Sequence, residues 1–180
     1  GKVNPSGKLS MSFPRNVGQI PVYYNHKNTG RPLTGKWFAK FQSNYIDVPN
    51  DPLYPFGYGL SYTQFEYGAM QLSAKQLKGN QKLTVTVPVK NTGKYAGKEV
   101  VQLYIRDEVG SITRPVQELK GFNKIELAPG ETKNISFEIT PELLKFYNGD
   151  LKLDWESGDF QIMVGTNSKE VQVAKVNWQK

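Results

Sequence analysis

Apolar and polar residues alternate strictly along much of the chain after residue 65. In residues 82–91, leucine and valine occupy every second position, with mostly polar residues between them. A period of two with β-branched side chains predicts a strand that buries one face. The same pattern, at varying length, predicts strands over residues 82–91, 99–107, 117–122, 133–140, 151–155, 158–165 and 171–178.

Turn and helix signals separate these predicted strands. Proline and glycine at positions 129 and 130 favour a tight turn between two of them. Residues 140–144 break the alternation, with Thr140 placed to cap a helix and Pro141 suited to its first position. We therefore predict a single helical turn there, which crosses between two sheets.

The last predicted strand, residues 171–178, changes phase along its length. If this strand is regular, Val171 and Val173 fall on the face opposite to Val176 and Trp178. A β-bulge would bring all four side chains to a common face. We predict a bulge at this point.

The strand pattern defines the fold class. About seven strands in about 110 residues, with turn signals at regular spacing, predict an all-β protein with an immunoglobulin-like or fibronectin III-like sandwich. The chain has no cysteine, which excludes the disulfide-pinned antibody type. Core packing between the two inner faces must therefore hold the sheets together.

The first part of the chain has a different character. Residues 1–65 are loop-rich, and only residues 9–13 and 20–24 predict short strands. Thirteen of the 22 aromatic residues lie in the first 67 positions, without periodicity. We predict that this part does not form a core of its own and buries its rings against a partner. The predicted division is a remnant domain with linker, 1–65, and a sandwich, 66–180.

Composition excludes several classes of function. The net charge of +7 comes from dispersed lysines, which favours a solvated surface over a nucleic-acid site. With no cysteine and a single histidine, His26, we expect neither a metal nor a cofactor, and we interpret His26 as a loop hydrogen-bonder. No apolar run approaches the roughly 18 residues that a membrane helix needs.

The sequence also offers little for catalysis. Glycoside hydrolysis needs two carboxylates that face one cleft, and most of the acidic candidates stand at predicted strand ends or in turns, where carboxylates are ordinarily solvated. These candidates are Asp47, Asp51, Asp107, Glu108, Asp154 and Glu156. Exposed rings could instead stack on sugars or fill a domain interface. The possible sugar platforms are Tyr23, Tyr24, Trp37, Phe38 and Tyr45.

A series of motifs carries a family resemblance over essentially the whole chain. The motifs are GKL at 7–9, FPR at 13–15, VGQIP at 17–21, YNHKNTGRP at 24–32, YPFGYGLSY at 54–62, NTG at 91–93, RP at 114–115, ELKGF at 118–122 and PGE at 129–131. The first four resemble the end of the α/β sandwich domain of family 3 glycoside hydrolases. Residues 54–62 resemble the join that follows, and residues 84–165 resemble the fibronectin III-like domain of β-glucosidases and β-xylosidases of that family.

The resemblance implies a parent enzyme that hydrolyses terminal β-glycosides with retention. Its aspartate nucleophile and glutamate acid/base would lie in an N-terminal barrel and earlier in the α/β domain. Neither motif has a counterpart in these 180 residues, so no catalytic residue or cofactor is carried over. The chain is then expected to be a non-catalytic C-terminal fragment whose sandwich supports the absent domains. A carbohydrate- or cell-surface-binding module is the alternative, with oligosaccharide as ligand. The periplasm or the cell exterior is implied by resemblance alone.

Two groups of residues receive expected roles within that resemblance. The loop with His26, Lys27 and Arg31 follows a predicted strand end, where ligands of α/β sheets gather, and is expected on the active-site side of the parent enzyme. A second group is expected to pack between domains. Its members are Trp37, Phe41, Tyr54, Phe56, Tyr58 and Tyr62.

Overall fold

A computed structural model describes residues 1–31 and 40–180 of the chain. The structure is mostly strand and loop, with 3₁₀ helices at Val17–Gln19 and Pro141–Leu144. The strands are β1 (Phe65–Tyr67), β2 (Gln71–Leu72), β3 (Gln76–Lys78), β4 (Leu83–Asn91), β5 (Gly97–Asp107), β6 (Glu118–Leu127), β7 (Thr132–Ile139), β8 (Phe146–Tyr147), β9 (Leu153–Asp154), β10 (Gly158–Gly165) and β11 (Val171–Gln179). None of the helices in the described ranges is long and apolar enough to cross a membrane.

The strands form two facing sheets and a small ribbon. In the first sheet, β1 and β2 pair with one edge of β4, and β7 pairs with the other. The second sheet has the order β3–β11–β10–β5–β6 and is antiparallel except where β11 meets β3. Strands β8 and β9 form the ribbon. The prediction of an all-β sandwich is confirmed.

The core lies between the two sheets and consists of the alternating side chains that the sequence indicated. The inward row of β4 is fully buried and comprises Leu83, Val85, Val87 and Val89. Trp178 of β11 is also fully buried, and its indole N–H donates to the carbonyl of Gly79 at 3.1 Å. Each buried aliphatic or aromatic side chain stabilises the fold by about 1.5–3 kcal/mol. This packing replaces the disulfide of antibody domains.

Two predictions in the sandwich were incomplete. The strand predicted over 117–122 is the longer β6, Glu118–Leu127, whose second half is largely exposed at the edge of its sheet. Edge strands carry polar residues on both faces, which hides them from a periodicity test. The helical turn after Thr140 is present as a 3₁₀ helix, but the Thr140 side chain makes no capping hydrogen bond.

The bulge predicted in residues 171–178 is wrong. The register of β10 with β11 runs without a break from Gly158 opposite Trp178 to Gly165 opposite Val171. Val173 belongs to the outer face and is 56% exposed. The apolar pattern of this strand therefore changes phase because its valines lie first on the outer face and then on the inner face. The register shift lies instead between Leu103 and Tyr104 of β5, where it meets β6.

The N-terminal segment is defined as residues 1–64, and its described part, residues 1–31 and 40–64, contains none of the strands. Neither residues 9–13 nor 20–24 form one, in contrast to the prediction. An isolated bridge joins Phe13 to Tyr54, and the amide of Leu9 donates to the carbonyl of Tyr58 at 2.8 Å. Pro14 and Pro55 follow the two bridged residues and Pro21 lies within residues 20–24, and proline has no N–H to donate to a ladder. The described part of the segment contributes nothing to the main core cluster.

Candidate functional site at the segment–sandwich interface

The N-terminal segment covers the outer face of the five-stranded sheet with two aromatic rings. Tyr24 stacks on Phe56 with ring centres 4.2 Å apart, and both rings meet Tyr104 of β5 edge-on, at 5.8 and 6.5 Å. Tyr104 is fully buried although it points away from the core. Burial, followed by the neighbouring Tyr24, raises the pKa of Tyr104 well above its ordinary value. Tyr104 therefore stays a neutral hydrogen-bond donor.

Gln102 of β5 ties the segment to the sandwich through its side-chain amide. The amide nitrogen donates to the carbonyls of Gly57 at 3.1 Å and Thr166 at 2.6 Å. Its oxygen accepts from the hydroxyl of Tyr104 at 2.5 Å. Because Gln102 is buried, these bonds satisfy polar atoms that water cannot reach. They join the segment, β5 and the β10–β11 turn at one point.

Gly57 makes this close approach possible. Its φ of +80° is a conformation that side chains disfavour, and a Cβ atom there would lie 2.0 Å from the Gln102 amide oxygen. The carbonyl of the preceding residue, Phe56, accepts from the amide of Ser168 at 2.9 Å. The central part of the join, residues 54–62, is thus fixed to the sandwich on both sides of the glycine.

A buried charge pair forms a second connection. Lys8 of the segment lies 3.1 Å from a carboxylate oxygen of Glu99, and the Tyr67 hydroxyl donates to the same oxygen at 3.0 Å. Glu99 is only 4% exposed. Burial, and then the nearby Glu99 charge, raise the pKa of Tyr67 far above its ordinary value. The segment thus supplies the cation that a buried carboxylate of the sandwich requires.

The loop with His26, Lys27 and Arg31 is attached through its backbone. Val116 donates its amide proton to the carbonyl of His26 at 2.9 Å, and Lys27 forms an isolated bridge with Pro115. The side chains of His26, Lys27 and Arg31 are exposed. The His26 ring lies 3.2 Å from the carbonyl of Lys27, which agrees with its interpretation as a loop hydrogen-bonder. The expected place of this loop beside an active site remains a prediction.

The aromatic residues predicted to pack between domains divide into two groups. Phe56 lies against the sandwich, and Tyr58 stacks on Tyr54 with ring centres 5.1 Å apart. Tyr54, Tyr62 and Phe41 are 41%, 57% and 83% exposed. Trp37 lies outside the described residues. The exposed members are available to a second surface, and their packing role remains a prediction.

Exposed apolar side chains concentrate on the N-terminal segment. Among the described residues, twelve of the nineteen large exposed hydrophobic side chains precede residue 63. They are Val3, Met11, Phe13, Val17, Ile20, Tyr23, Phe41, Ile46, Leu53, Tyr54, Leu60 and Tyr62. Apolar exposure on this scale, concentrated in one part of a chain, is typical of an interaction surface.

Several of the acidic candidates are engaged in ion pairs. Asp51 lies 2.5 Å from Lys169, and Asp154 pairs with Lys180. Hydrogen bonds from Lys175 and Gln161 lower the pKa of Glu108, so this carboxylate is a poor proton donor at neutral pH. Within residues 1–31 and 40–180, no group of three or more metal-ligating side chains is arranged to hold an ion.

Sequence reasoning missed the most connected residues of this interface, Gln102, Glu99 and Lys8. A glutamine at an outward position of a strand has the pattern of a solvated residue, so alternation gave no signal for Gln102. Glu99 gave a weak one, because it stands on the inward face with Val101 and Leu103. An acidic residue in phase with an apolar row indicates a buried charge that needs a partner.

Comparisons with known proteins match both the N-terminal segment and the sandwich. The profile of the glycosyl hydrolase family 3 C-terminal domain matches residues 1–62, and that of the fibronectin type III-like domain matches residues 99–168. A periplasmic β-glucosidase of Salmonella typhimurium is 52% identical over 172 residues, which are 96% of this chain and 22% of that protein. A putative β-xylosidase of Formosa agariphila is 46% identical over 93% of this chain and 21% of its own length.

A solved structure matches the whole length of the chain. The β-glucosidase from Listeria innocua in complex with isofagomine superposes with a TM-score of 0.94 at 49% identity, covering 100% of this chain and 25% of that one. The chain belongs to glycosyl hydrolase family 3 and corresponds to the C-terminal part of its members. It spans between a fifth and a quarter of the length of these relatives.

Proposed function

We propose that the chain is the non-catalytic C-terminal support of a β-glucosidase-type enzyme that removes terminal β-linked sugars with retention. The observation that carries this proposal is the one-sided N-terminal segment, which is bonded to the sandwich on one side and exposes apolar side chains elsewhere. The similar β-glucosidases and β-xylosidase extend well beyond the matched region. Their remaining domains are the natural partners of that apolar surface.

The support acts by fixing the segment. Gln102 and Glu99 of β5 hold the segment at two points, so that its other surface is presented in one orientation. A surface held in advance loses less conformational freedom on docking, which strengthens the contact. In this arrangement the exposed ends of Phe41 and Tyr62 contact the preceding domains.

The loop with His26, Lys27 and Arg31 is proposed to lie on the active-site side of the parent enzyme. Its side chains are exposed while its backbone is anchored to Pro115 and Val116. An anchored backbone with free cationic side chains suits contact with a polar ligand or a neighbouring domain. Unchanged kinetics after substitution of Lys27 and Arg31 in the parent enzyme would count against this role.

The parent enzyme is proposed to work in the periplasm or outside the cell. This proposal is supported by the similarity to the Salmonella relative, a periplasmic β-glucosidase. The chain contributes no cysteine that would report on an oxidising compartment. Fractionation of cells that produce the parent protein tests this point, and activity confined to the cytoplasm would refute it.

A chimera tests the main proposal. This chain would replace the matched C-terminal quarter of the Listeria innocua β-glucosidase. Phe41→Ser and Ile46→Ser remove apolar side chains that are 83% and 81% exposed. In the 180-residue chain alone they should leave thermal stability unchanged, but in the chimera they should lower stability and nitrophenyl-glucoside turnover. Tyr147→Ser, at a 63% exposed site on the sandwich, is the matched control and should be neutral in both.

Two results would contradict the proposal. One is equal behaviour of the segment variants and the Tyr147→Ser control in the chimera. The other is nitrophenyl-glucoside turnover by the 180-residue chain alone that a single carboxylate substitution abolishes. Retention of the isolated chain on glycan affinity gels would favour the alternative function as a carbohydrate-binding module.

A further inference from the structure

A polar cavity of about 160 Å³ lies where the N-terminal segment meets the sandwich. Residues 5–8 and 58–61 of the segment contribute one part of its lining, and Glu99, Thr166 and Glu170 of the sandwich contribute another. We call it the Glu99 cavity. A single water occupies roughly 10–15 Å³ of such a volume, so the cavity has room for a small molecule.

One oxygen of the Glu99 carboxylate is open to a ligand. The Oε1 atom accepts from Lys8 at 3.1 Å and from Tyr67 at 3.0 Å. Within residues 1–31 and 40–180 the Oε2 atom has no donor, yet it is not among the buried atoms that lack a partner. Because Glu99 is only 4% exposed and lines the cavity, this open oxygen faces it. An otherwise enclosed carboxylate oxygen favours a ligand that donates a hydrogen bond.

Lys8 provides donors beside that acceptor. Its side chain is 16% exposed, and Glu99 is the one acceptor that the described part of the chain offers to its ammonium group. Two of the three ammonium N–H groups therefore remain. Glu170 adds another acceptor, because only its Oε2 atom is occupied, by Thr166 and Asn167. Donors and acceptors side by side suit hydroxyl groups, which both donate and accept.

The charges around the cavity favour a neutral ligand. Lys8 and Lys98 supply two positive charges to the lining, and Glu99 and Glu170 supply two negative ones. An ion of either sign would therefore meet a like charge. A purely apolar ligand would leave the open oxygen of Glu99 without a partner. The ring of Phe65 also lines the cavity, and its apolar surface suits the C–H groups of a ligand.

We propose that the Glu99 cavity binds a single neutral sugar, a pyranose ring with adjacent hydroxyl groups. One hydroxyl donates to Glu99 Oε2, its neighbour accepts from the Lys8 ammonium, and ring C–H groups lie against Phe65. Because Lys8 belongs to the segment and Glu99 to β5, the sugar bridges the two and holds the segment on the sandwich. The volume suits one ring and not a polymer, and the site does not depend on the activity proposed for the parent enzyme.

Titration of the isotope-labelled 180-residue chain with methyl β-D-glucopyranoside, followed by NMR, tests the proposal. The amide signals of Gly59 and Thr166, which line the cavity, should shift and saturate. A Kd on the order of 1–10 mM is expected for a small ligand with few contacts. Glycerol, an acyclic polyol, should cause no saturable shift. Melting temperatures are a poorer measure, because sugars also stabilise proteins by exclusion from their surface.

Two variants test the assigned atoms. Glu99→Gln keeps the shape of the side chain, removes the carboxylate and should weaken binding by at least about tenfold. Ser6→Phe places a ring at the cavity lining without altering the Lys8–Glu99 pair, so it should abolish binding even if Glu99→Gln fails to fold. Ser10→Phe, at an exposed serine of the same segment outside the cavity, is the matched control and should bind like the parent chain.

The bridging role has a separate readout in hydrogen exchange. The Leu9 amide donates to the carbonyl of Tyr58 at 2.8 Å, within the part of the segment that the sugar would hold. At ten times the Kd its exchange should slow by about tenfold, because opening of the segment must release the sugar. The amide of Asn148, which donates to Lys152 at 3.0 Å in the β8–β9 turn, should exchange at an unchanged rate.

Several results would overturn the proposal. They are the absence of saturable shifts, equal binding of glycerol and the glucoside, and undiminished binding by Ser6→Phe. A cello-oligosaccharide that binds much more tightly than the glucoside would also overturn it, because the cavity would then belong to a cleft for a chain. That outcome would instead favour the alternative function as a carbohydrate-binding module.

Discussion

The sandwich and the N-terminal segment differ in where they place their large apolar side chains. The sandwich encloses apolar rows such as that of β4, whereas the described part of the segment buries polar side chains such as Ser12, Gln19 and Thr63 and leaves most of its large apolar ones exposed. A regular alternation therefore specifies a unit that buries its own apolar side chains. The aromatic-rich segment without alternation leaves apolar side chains exposed, and the proposed function assigns them to contact with a further domain. The three predictions below test this contrast.

The largest effect is expected inside the sandwich. Trp178→Ala would empty a fully buried site and should lower the free energy of unfolding by about 3–5 kcal/mol. Val173→Ala, at a 56% exposed position on the same strand, is the matched control and should change little. Urea unfolding followed by circular dichroism measures both. Similar losses for the two variants would show that β11 does not separate an inner from an outer face.

An intermediate effect is expected where the segment meets the sandwich. Lys8→Met leaves Glu99 buried with Tyr67 as its remaining partner and should cost about 1–3 kcal/mol. Adding Glu99→Gln should recover part of this loss, because no uncompensated charge remains. Lys82→Ala removes a pair with Glu138 in which both side chains are more than half exposed, and it should cost at most about 0.5 kcal/mol. Equal effects of the Lys8 and Lys82 variants would contradict the buried pair.

The smallest expected effect is the difference in cost between two glycine substitutions. Gly57→Ala combines the strain of a positive φ with a contact at 2.0 Å, whereas Gly130→Ala has a φ of +78° and no atom near the new Cβ. The first should cost about 1–3 kcal/mol and the second about 1 kcal/mol, as measured by urea unfolding. The difference measures the closeness of the segment to Gln102. No difference would mean that Gln102 moves aside freely.

The sandwich was predictable from the sequence because most of its strands have one buried face and one solvent-exposed face. The β4 row and the turn at Gly130, with its φ of +78°, are local consequences of residue type. The predictions failed where the outer face of a strand carries apolar side chains or where a strand lies at the edge of its sheet. Val171 and Val173 suggested a bulge because an apolar outer face was not anticipated, and polar edge residues concealed the second half of β6.

The candidate site was only partly predictable. The join at residues 54–62 was expected to pack, and Phe56 does lie on Tyr104. The residues that anchor it were not predicted, because Gln102 and Lys8 are 45 or more residues from the groups that they bind across the interface. Hydrogen bonds over that distance depend on how the segment is placed, which no local pattern encodes. The resemblance to family 3 hydrolases is confirmed by both domain profiles. It indicated the family of the N-terminal segment, which the hydrophobic periodicity did not.

The pairing of Tyr24 with Phe56 has a consequence for the intactness of the chain. The two rings belong to different stretches, and each stretch has its own bond to the sandwich, from Leu119 to the Tyr24 hydroxyl and from Ser168 to the Phe56 carbonyl. A single tryptic cut after Lys40 should therefore leave the two pieces associated. They should elute as one species from a sizing column and separate only in denaturant, so that the nicked chain behaves as a non-covalent heterodimer.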